Sequence, residues 1–387
     1  MKSAPTQTLS NSPVPTRLIS LDVLRGITIA FMIAVNTPGD GEHSFWAMKH
    51  ADWNGFTPTD LVFPAFLFIV GVSIVFSFES RLRHGETRIS IFLHTLRRAI
   101  ILFLLGLVVN GFPFFHLTSL RIYGVLQRIA VCFLCASALY LWERRASSKA
   151  AILTALLLGY WVLLRWVPVP GFGLPGRDIP LLDKDANLVA WFDRIIMPAQ
   201  RLLGGTRDPE GLLSDLPALG TTLFGMLTGI WLRTERTLQE KIAGILAGGV
   251  SLVVLGQIWN HWLPINKNMW TSSYVLYTAG WTLLALALCF WAIEIRGWKR
   301  GWTGPWLIFG MNAITAYVFS ELLASTLDAI DINLGEDTLS LHRFLFQKVF
   351  APIGNLSIAS LLYSICFVLI CAIPVAILYR RKIFIKI

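Results

Sequence analysis

The chain has 387 residues, of which 55% are hydrophobic and 14% charged, against about 25% charged in an ordinary soluble protein. No single soluble core of this length encloses so much apolar surface, which excludes a soluble enzyme, a disordered chain and a disulfide scaffold. The net charge of +10 does not call for nucleic acid, because Lys and Arg collect in the cytoplasmic loops of membrane proteins. The expected fold class is therefore all-α, a polytopic helical membrane protein in a lipid bilayer.

Residues 1–16 are polar and rich in Pro and Ser, with no apolar stretch, and read as a disordered cytoplasmic tail rather than a cleavable leader. Residues 17–387 read as one transmembrane domain. Apolar runs of about 20 residues follow in order. They cover 18–37 with Asp22 and Arg25 near its start, the charge-free 61–78, and 99–115, which Arg98 opens. Next come 122–142, interrupted by Arg128, then 150–167, 216–232, 242–263 and 271–293. The ninth, 303–323, carries Asn312 and Glu321, and the long run 349–379 holds the tenth beyond Pro352 and Gly354. The five cysteines fall inside these runs, so Cys132 and Cys135 read as small apolar residues and no disulfide or zinc site is expected.

Loop charge alternates in phase with this count. Arg81, Arg83, Arg88, Arg97 and Arg98 lie between the second and third runs, and Arg144, Arg145 and Lys149 between the fourth and fifth. Arg233, Arg236 and Lys241 follow the sixth, Arg296, Lys299 and Arg300 the eighth, and Arg380, Arg381, Lys382 and Lys386 form the tail. The alternate connections are neutral or acidic, such as 39–58 with Asp40, Glu42 and Asp52 against Lys49. This predicts ten helices with both termini cytoplasmic. The sizeable outer connections are then 37–60, the Pro- and Gly-rich 168–215, and 324–348, long enough to be functional or disordered.

The densest polar cluster is the first outer connection, with Asn36, His43, His50, Asp52, Trp53, Asn54 and Asp60. Asp60 starts an uncharged helix and reads as an N-terminal cap, or else Asp60 or Asp52 orients His50. His50 is a candidate general base or nucleophile, because imidazole titrates near neutrality; an ordinary interfacial histidine is the alternative. His43 and His50 have no acidic partner at metal-ligand spacing, so no metal is expected. Asp22 and Arg25, three apart, are expected to pair on one helix face. Arg25, Arg97 and Arg98 suit an anionic ligand entering from the cytoplasm, with the positive-inside bias as the plainer reading. Gln127 and Arg128 are buried polar groups of the fourth span. In 264–274, Asn266, Lys267, Asn268 and Trp270 suit a sugar, with amide donors and an aromatic platform, or form a plain turn. Asn312, in the GMN of 310–312, lines a cavity or bonds across the bundle. No P-loop, GxSxG or dinucleotide motif is present.

One run of residues narrows the reading. His50-Ala-Asp-Trp-Asn-Gly-Phe-Thr-Pro-Thr-Asp-Leu-Val-Phe-Pro64 resembles the signature of the heparan-alpha-glucosaminide N-acetyltransferase family. So do LDVLRG at 21–26, RIYGVLQR at 121–128, PVPG at 168–171, DPEGLL at 208–213, INKNMWTSSY at 265–274, GMN at 310–312 and the terminal RRKIFIKI, all in the family's order. The resemblance implies acetyl transfer across a membrane, from acetyl-CoA on the cytosolic side to the amine of a terminal glucosamine on the other. It implies His50 as the active-site histidine, with Asn36 beside it as a donor to the thioester carbonyl. Asp52, Trp53, Asn54, Asp60, Asn266, Lys267, Asn268 and Trp270 are then expected at the acceptor, and Arg25, Arg97, Arg98, Gln127, Arg128 and Asn312 at acetyl-CoA. His50 acts either as a base or as a nucleophile carrying acetyl. The lysosomal members carry a luminal domain and a helix ahead of this region. Neither is expected here, so the chain looks like a bacterial inner-membrane protein, with a periplasmic amino sugar as acceptor and a homodimeric state. The competing classes are a transporter of amino sugars such as N-acetylglucosamine, and a non-catalytic membrane scaffold.

Overall fold

The structure, a computed structural model, describes residues 17–299, 301–334 and 337–385. The expected N-terminal tail, Arg300 and Lys386 lie outside the described residues. The helices are α1 Ile19–Asn36, α2 Val62–Arg83, α3 Arg88–Gly111, α4 Val125–Trp142, α5 Ala146–Trp166 and α6 Leu188–Ile196. They continue as α7 Asp215–Leu232, α8 Leu238–Trp259, α9 Ser272–Phe290, α10 Thr303–Met311, α11 Ala313–Ala329, α12 Leu341–Leu345 and α13 Leu356–Arg380. A small antiparallel hairpin, β1 Asp331–Leu334 with β2 Asp337–Ser340, sits in the connection after α11 and pairs Asp331 with Ser340.

Among the described residues, eight helices are long and apolar enough to cross a membrane: α1, α2, α3, α4, α5, α8, α9 and α13. The ninth expected run is not one straight helix. α10 and α11 meet at Asn312, whose φ of −127° and ψ of 44° leave the helical region, and the axis turns by 81°. Counted as one span, the bent pair makes nine. The run expected at 216–232 forms α7, which carries Asp215, Pro217, Gly220, Gly225, Gly229 and three threonines and is not among the eight. Helix starts also move. Thr87 caps α3 by accepting from the Ser90 N–H at 3.2 Å, so α3 begins well before Arg98, which lies inside it. Thr237 and Glu240 form a capping box that starts α8.

Burial sorts the bundle. α2 is 78% buried along its apolar window, with α1, α4 and α9 next, whereas α3, α5, α8 and α13 are mostly exposed and form the outer layer. α7 packs along α2 at backbone contact. A Cβ on Gly225 would lie 1.9 Å from the Phe68 carbonyl oxygen, and one on Gly71 2.0 Å from that of Thr222. Within lipid, where apolar burial between helices contributes little, such small-residue seams supply the packing. The central core includes Ile29, Met32, Phe63, Phe66, Leu67, Ile129, Met226, Tyr274 and Tyr317.

Candidate active site

The site forms where the loop after α1 meets the loop before α9. The Gly55 N–H donates to the Ile265 carbonyl at 2.8 Å, and Asn266 Nδ2 to Asn54 Oδ1 at 3.1 Å. Tyr274, fully buried in α9, donates to the backbone carbonyl of Asp60 at 2.6 Å. These bonds hold His50 over the end of α2.

Of the two carboxylates expected to orient His50, Asp60 is the one beside it, and it also serves as the cap. Its Oδ2 accepts from the Thr57 and Ala51 N–H groups at 3.0 and 3.1 Å, closing a capping box with Thr57. Its Oδ1 lies 2.7 Å from His50 Nδ1. An ionised carboxylate only accepts, so His50 Nδ1 carries the proton and Nε2 presents a lone pair. Asp60 is 1% exposed while the His50 side chain is 47% exposed, so a fixed anion orients a reachable imidazole. Asp52, the other carboxylate of the motif, is exposed. Lys267 Nζ lies 3.0 and 2.9 Å from Nδ1 and Nε2 of His50. Equal reach to both nitrogens puts the amine against the ring face rather than in its plane. Burial pulls the Lys267 pKa below that of an ordinary lysine, and the Glu210 and Asp60 charges oppose this only in part.

Asn36 ends α1, and its Nδ2 donates to Glu321 Oε1 of α11 at 3.0 Å. The amide keeps a second N–H for a ligand. Glu321 was visible in the sequence as an intramembrane carboxylate; what the sequence did not show was its partner.

The acceptor-side candidates separate. Trp270 is 1% exposed, donates from Nε1 to Thr221 Oγ1 at 3.1 Å, and lies under the Arg128 guanidinium at 4.9 Å, so it is a core residue and not an open platform. Asn266 is fully buried and structural: its Oδ1 accepts from the Met269 N–H at 2.9 Å. Asn54 is its partner. Trp53 donates from Nε1 to the Leu182 carbonyl at 2.7 Å, with Arg207 5.3 Å and Lys184 5.8 Å from its ring centre. Trp53 and Asn268 line one small recess with Arg207 and Asp208.

The acetyl-CoA candidates separate too. A cavity of about 280 Å³ lies between α1, α2, α3, α4 and the α10–α11 break, lined by Arg25, Ser73, Arg98, Phe133, Gly310 and Ile385 among others. Arg25 pairs with Asp22 at 3.0 Å, as expected, and also donates to the Gly310 carbonyl at 3.1 Å and Ser73 Oγ at 2.9 Å. The Arg98 guanidinium lies 5.1 Å from the centre of the Phe133 ring. A smaller void shares Phe66, Ile129 and Ile314 with this cavity and reaches Met32, Phe63 and Tyr317. The eleven helical steps from Arg25 to Asn36 correspond to about 16 Å, and the smaller void, beside Met32, lies along that stretch of α1.

Arg97 is exposed on the other side of α3 and does not line this cavity. Gln127 is buried, its amide packed where a Cβ on Gly106 or Gly124 would lie. Arg128 is committed to the long loop: it pairs with Asp215 at 2.7 Å, donates to the Pro209 and Gly211 carbonyls at 3.1 Å, and touches Ser214. Asn312 gives both amide atoms to residues 383–385. These four were expected to touch acetyl-CoA, and none of them lines the cavity: Arg97 is exposed away from it, and Gln127, Arg128 and Asn312 are buried.

The long loop is ordered by charge. Arg121 is bidentate on Asp208 at 2.8 and 2.5 Å and also touches Glu210; these anions raise its pKa despite burial. Thus RIYGVLQR grips DPEGLL through Arg121 and Arg128. Burial pushes Asp193, fully enclosed beside them, up to about 7, although the Asp208 N–H donates to it. Among the described residues no group of three or more His, Cys, Asp or Glu is placed to hold a metal ion.

These features define a class, a multi-pass helical membrane protein with a carboxylate-held imidazole at one end of the bundle and an arginine-lined cavity within it. Residues 17–257 match the family model described as heparan-alpha-glucosaminide N-acetyltransferase, catalytic. The human heparan-alpha-glucosaminide N-acetyltransferase is 30% identical over 363 residues, covering 80% of this chain and 54% of that protein. The mouse protein of the same name is 30% identical over 359 residues, covering 79% and 54%. The chain belongs to the heparan-alpha-glucosaminide N-acetyltransferase family. It spans about half the length of the curated relatives it matches.

Proposed function

We propose that this protein is a transmembrane N-acetyltransferase that moves acetyl from cytoplasmic acetyl-CoA to the amine of a glucosamine or related amino sugar on the opposite face. The observation that carries this reading is the His50–Asp60 pair, 2.7 Å apart, with Nε2 open at the far end of the bundle from the arginine-lined cavity. Arg25 and Arg98 hold the phosphorylated end of the co-substrate, and its thioester arm runs past Phe66, Ile129 and Ile314, which line both the cavity and the smaller void. Asn36 donates its free amide N–H to the thioester carbonyl and stabilises the charge that develops there. His50 removes the proton of the attacking amine through Nε2. The new C–N bond replaces the C–S bond, and the departing thiolate takes the proton from His50. In a two-step version His50 Nε2 attacks first and expels the CoA thiolate, forming an acetyl-imidazole; the amine then attacks, its C–N bond replaces the acyl–Nε2 bond, and its proton goes to the thiolate.

In this reading α7 and the bent α10–α11 pair join the eight apolar helices to make ten spans, with 17–387 as one domain and both termini in the cytoplasm. The basic connections match that sidedness. A bacterial inner membrane, a periplasmic acceptor and a homodimer complete the proposal. Sealed proteoliposomes of known orientation test it, with labelled acetyl-CoA on the cytoplasmic face and glucosamine on the other. Labelled N-acetylglucosamine on the far side from wild type and none from His50→Ala is the expected result. Saturable passage of unmodified sugar without label transfer would make the protein an amino-sugar transporter instead.

A further inference from the structure

The chain does not stop at the end of α13. It turns at Lys382, whose φ is +57°, and folds back, with the Ile383 N–H donating to the Leu378 carbonyl at 2.9 Å. Phe384 packs edge-on against Tyr379, ring centres 6.2 Å apart. The returning segment meets both ends of one amide: Asn312 Nδ2 donates to the Ile383 carbonyl at 3.2 Å, and Asn312 Oδ1 accepts from the Ile385 N–H at 3.0 Å. A side-chain amide that bonds residues i and i+2 of an extended segment copies a strand partner and fixes the segment's register.

Asn312 serves this purpose because the span breaks there. It is 1% exposed, and the bend between α10 and α11 turns its side chain to the tail rather than along a helix. The same break frees the Gly310 carbonyl, which Arg25 occupies at 3.1 Å. Ile385 then lines the cavity alongside Arg25, Arg98 and Gly310. Irregular backbone is tolerated where it borders a cavity and its polar groups are met, and here Arg25 meets the Gly310 carbonyl.

We propose that residues 383–385 form a strap, latched on Asn312, that closes the mouth of the acetyl-CoA cavity and slows release of the co-substrate. The inference rests on the acetyltransferase reading and makes Asn312 a positioning residue, acting through the tail rather than by touching acetyl-CoA. Arg380, Arg381 and Lys382 immediately precede the strap and place positive charge at its root, complementary to the phosphates of acetyl-CoA.

The test uses the full chain in lipid nanodiscs, titrated with radiolabelled acetyl-CoA. Wild type is compared with Asn312→Leu, with Asn312→Asp, and with a chain ended after Lys382. Asn312→Leu and the shortened chain are expected to raise both Kd and KM for acetyl-CoA at least tenfold, with kcat at saturation within twofold. Asn312→Asp keeps the acceptor for the Ile385 N–H and is expected to fall between. Free CoA is expected to slow removal of the wild-type tail by carboxypeptidase. If wild type binds acetyl-CoA and both disrupted forms bind it equally well, the strap is wrong and the enzyme reading stands. If wild type binds no acetyl-CoA, both fall. Loss of kcat without a change in Kd would also overturn the strap.

Discussion

At the scale of single residues the site depends on one carboxylate doing two things. Asp60 caps the turn before α2 and fixes the His50 tautomer, so changing it alters chemistry and local structure together. Asp60→Asn keeps the size and the cap acceptor, yet an amide can turn a donor toward Nδ1 and move the proton to Nε2. The expected loss in kcat is about 10²- to 10⁴-fold, comparable to that of His50→Ala, with an unchanged melting temperature for His50→Ala because that ring is half exposed. Steady-state kinetics with thermal melts check both. Asp193 gives a prediction of stability against pH. Burial holds its pKa near 7 against an ordinary value of 3.8, so the folded chain keeps a proton that the unfolded chain has lost. Stability from this group is therefore fully present below about pH 4 and falls as pH rises to 7, by up to about 4 kcal/mol. Asp193→Asn mimics the protonated form. Its melting temperature is expected to overtake that of wild type progressively between pH 5 and pH 8.

At the scale of elements, close helix seams and one deliberate break shape the site. α2 and α7 approach at Gly71 and Gly225, where a methyl group would overlap a carbonyl oxygen of the other helix. Gly225→Val is expected to cost about 3 kcal/mol or more and to lower yield and melting temperature. Gly159→Ala on α5, where no atom lies within 4 Å of the added methyl, serves as the matched change and is expected to be neutral or stabilising by about 1 kcal/mol. Fluorescence-detected gel filtration after heating separates the two. The break between α10 and α11 acts differently. It costs helical hydrogen bonds; Arg25 takes up the freed Gly310 carbonyl, and the tail binds the Asn312 side chain that the break exposes to it.

At the scale of the whole molecule the proposed sidedness is the point to test. Cysteines at Glu42, in the loop after α1, and at Arg83, the last residue of α2, both exposed, are expected to react with a membrane-impermeant thiol reagent from opposite faces of intact cells or inverted vesicles. Labelling from one face at both would overturn the ten-span arrangement and with it the direction of acetyl transfer.

The helical membrane class and the positions of most spans were legible because hydropathy over about 20 residues is a local property. The His50 motif was legible for the same reason: His50, Thr57 and Asp60 lie within one short stretch. The partners of single polar groups were not. Nothing near Arg128 in sequence announces Asp215, and nothing near Asn312 announces Ile383 and Ile385, separated from it by 71 and 73 positions. The bond between Asn36 and Glu321 spans 285. The same distance in sequence hid the burial of Trp270, which reads as an exposed platform until Thr221 and Arg128 close over it. Local composition determined that this chain packs as helices in a membrane and where its densest polar loop lies. Only the tertiary structure decided which buried charges face a cavity and which are already satisfied, because a buried polar group's role depends on what the rest of the chain brings to it.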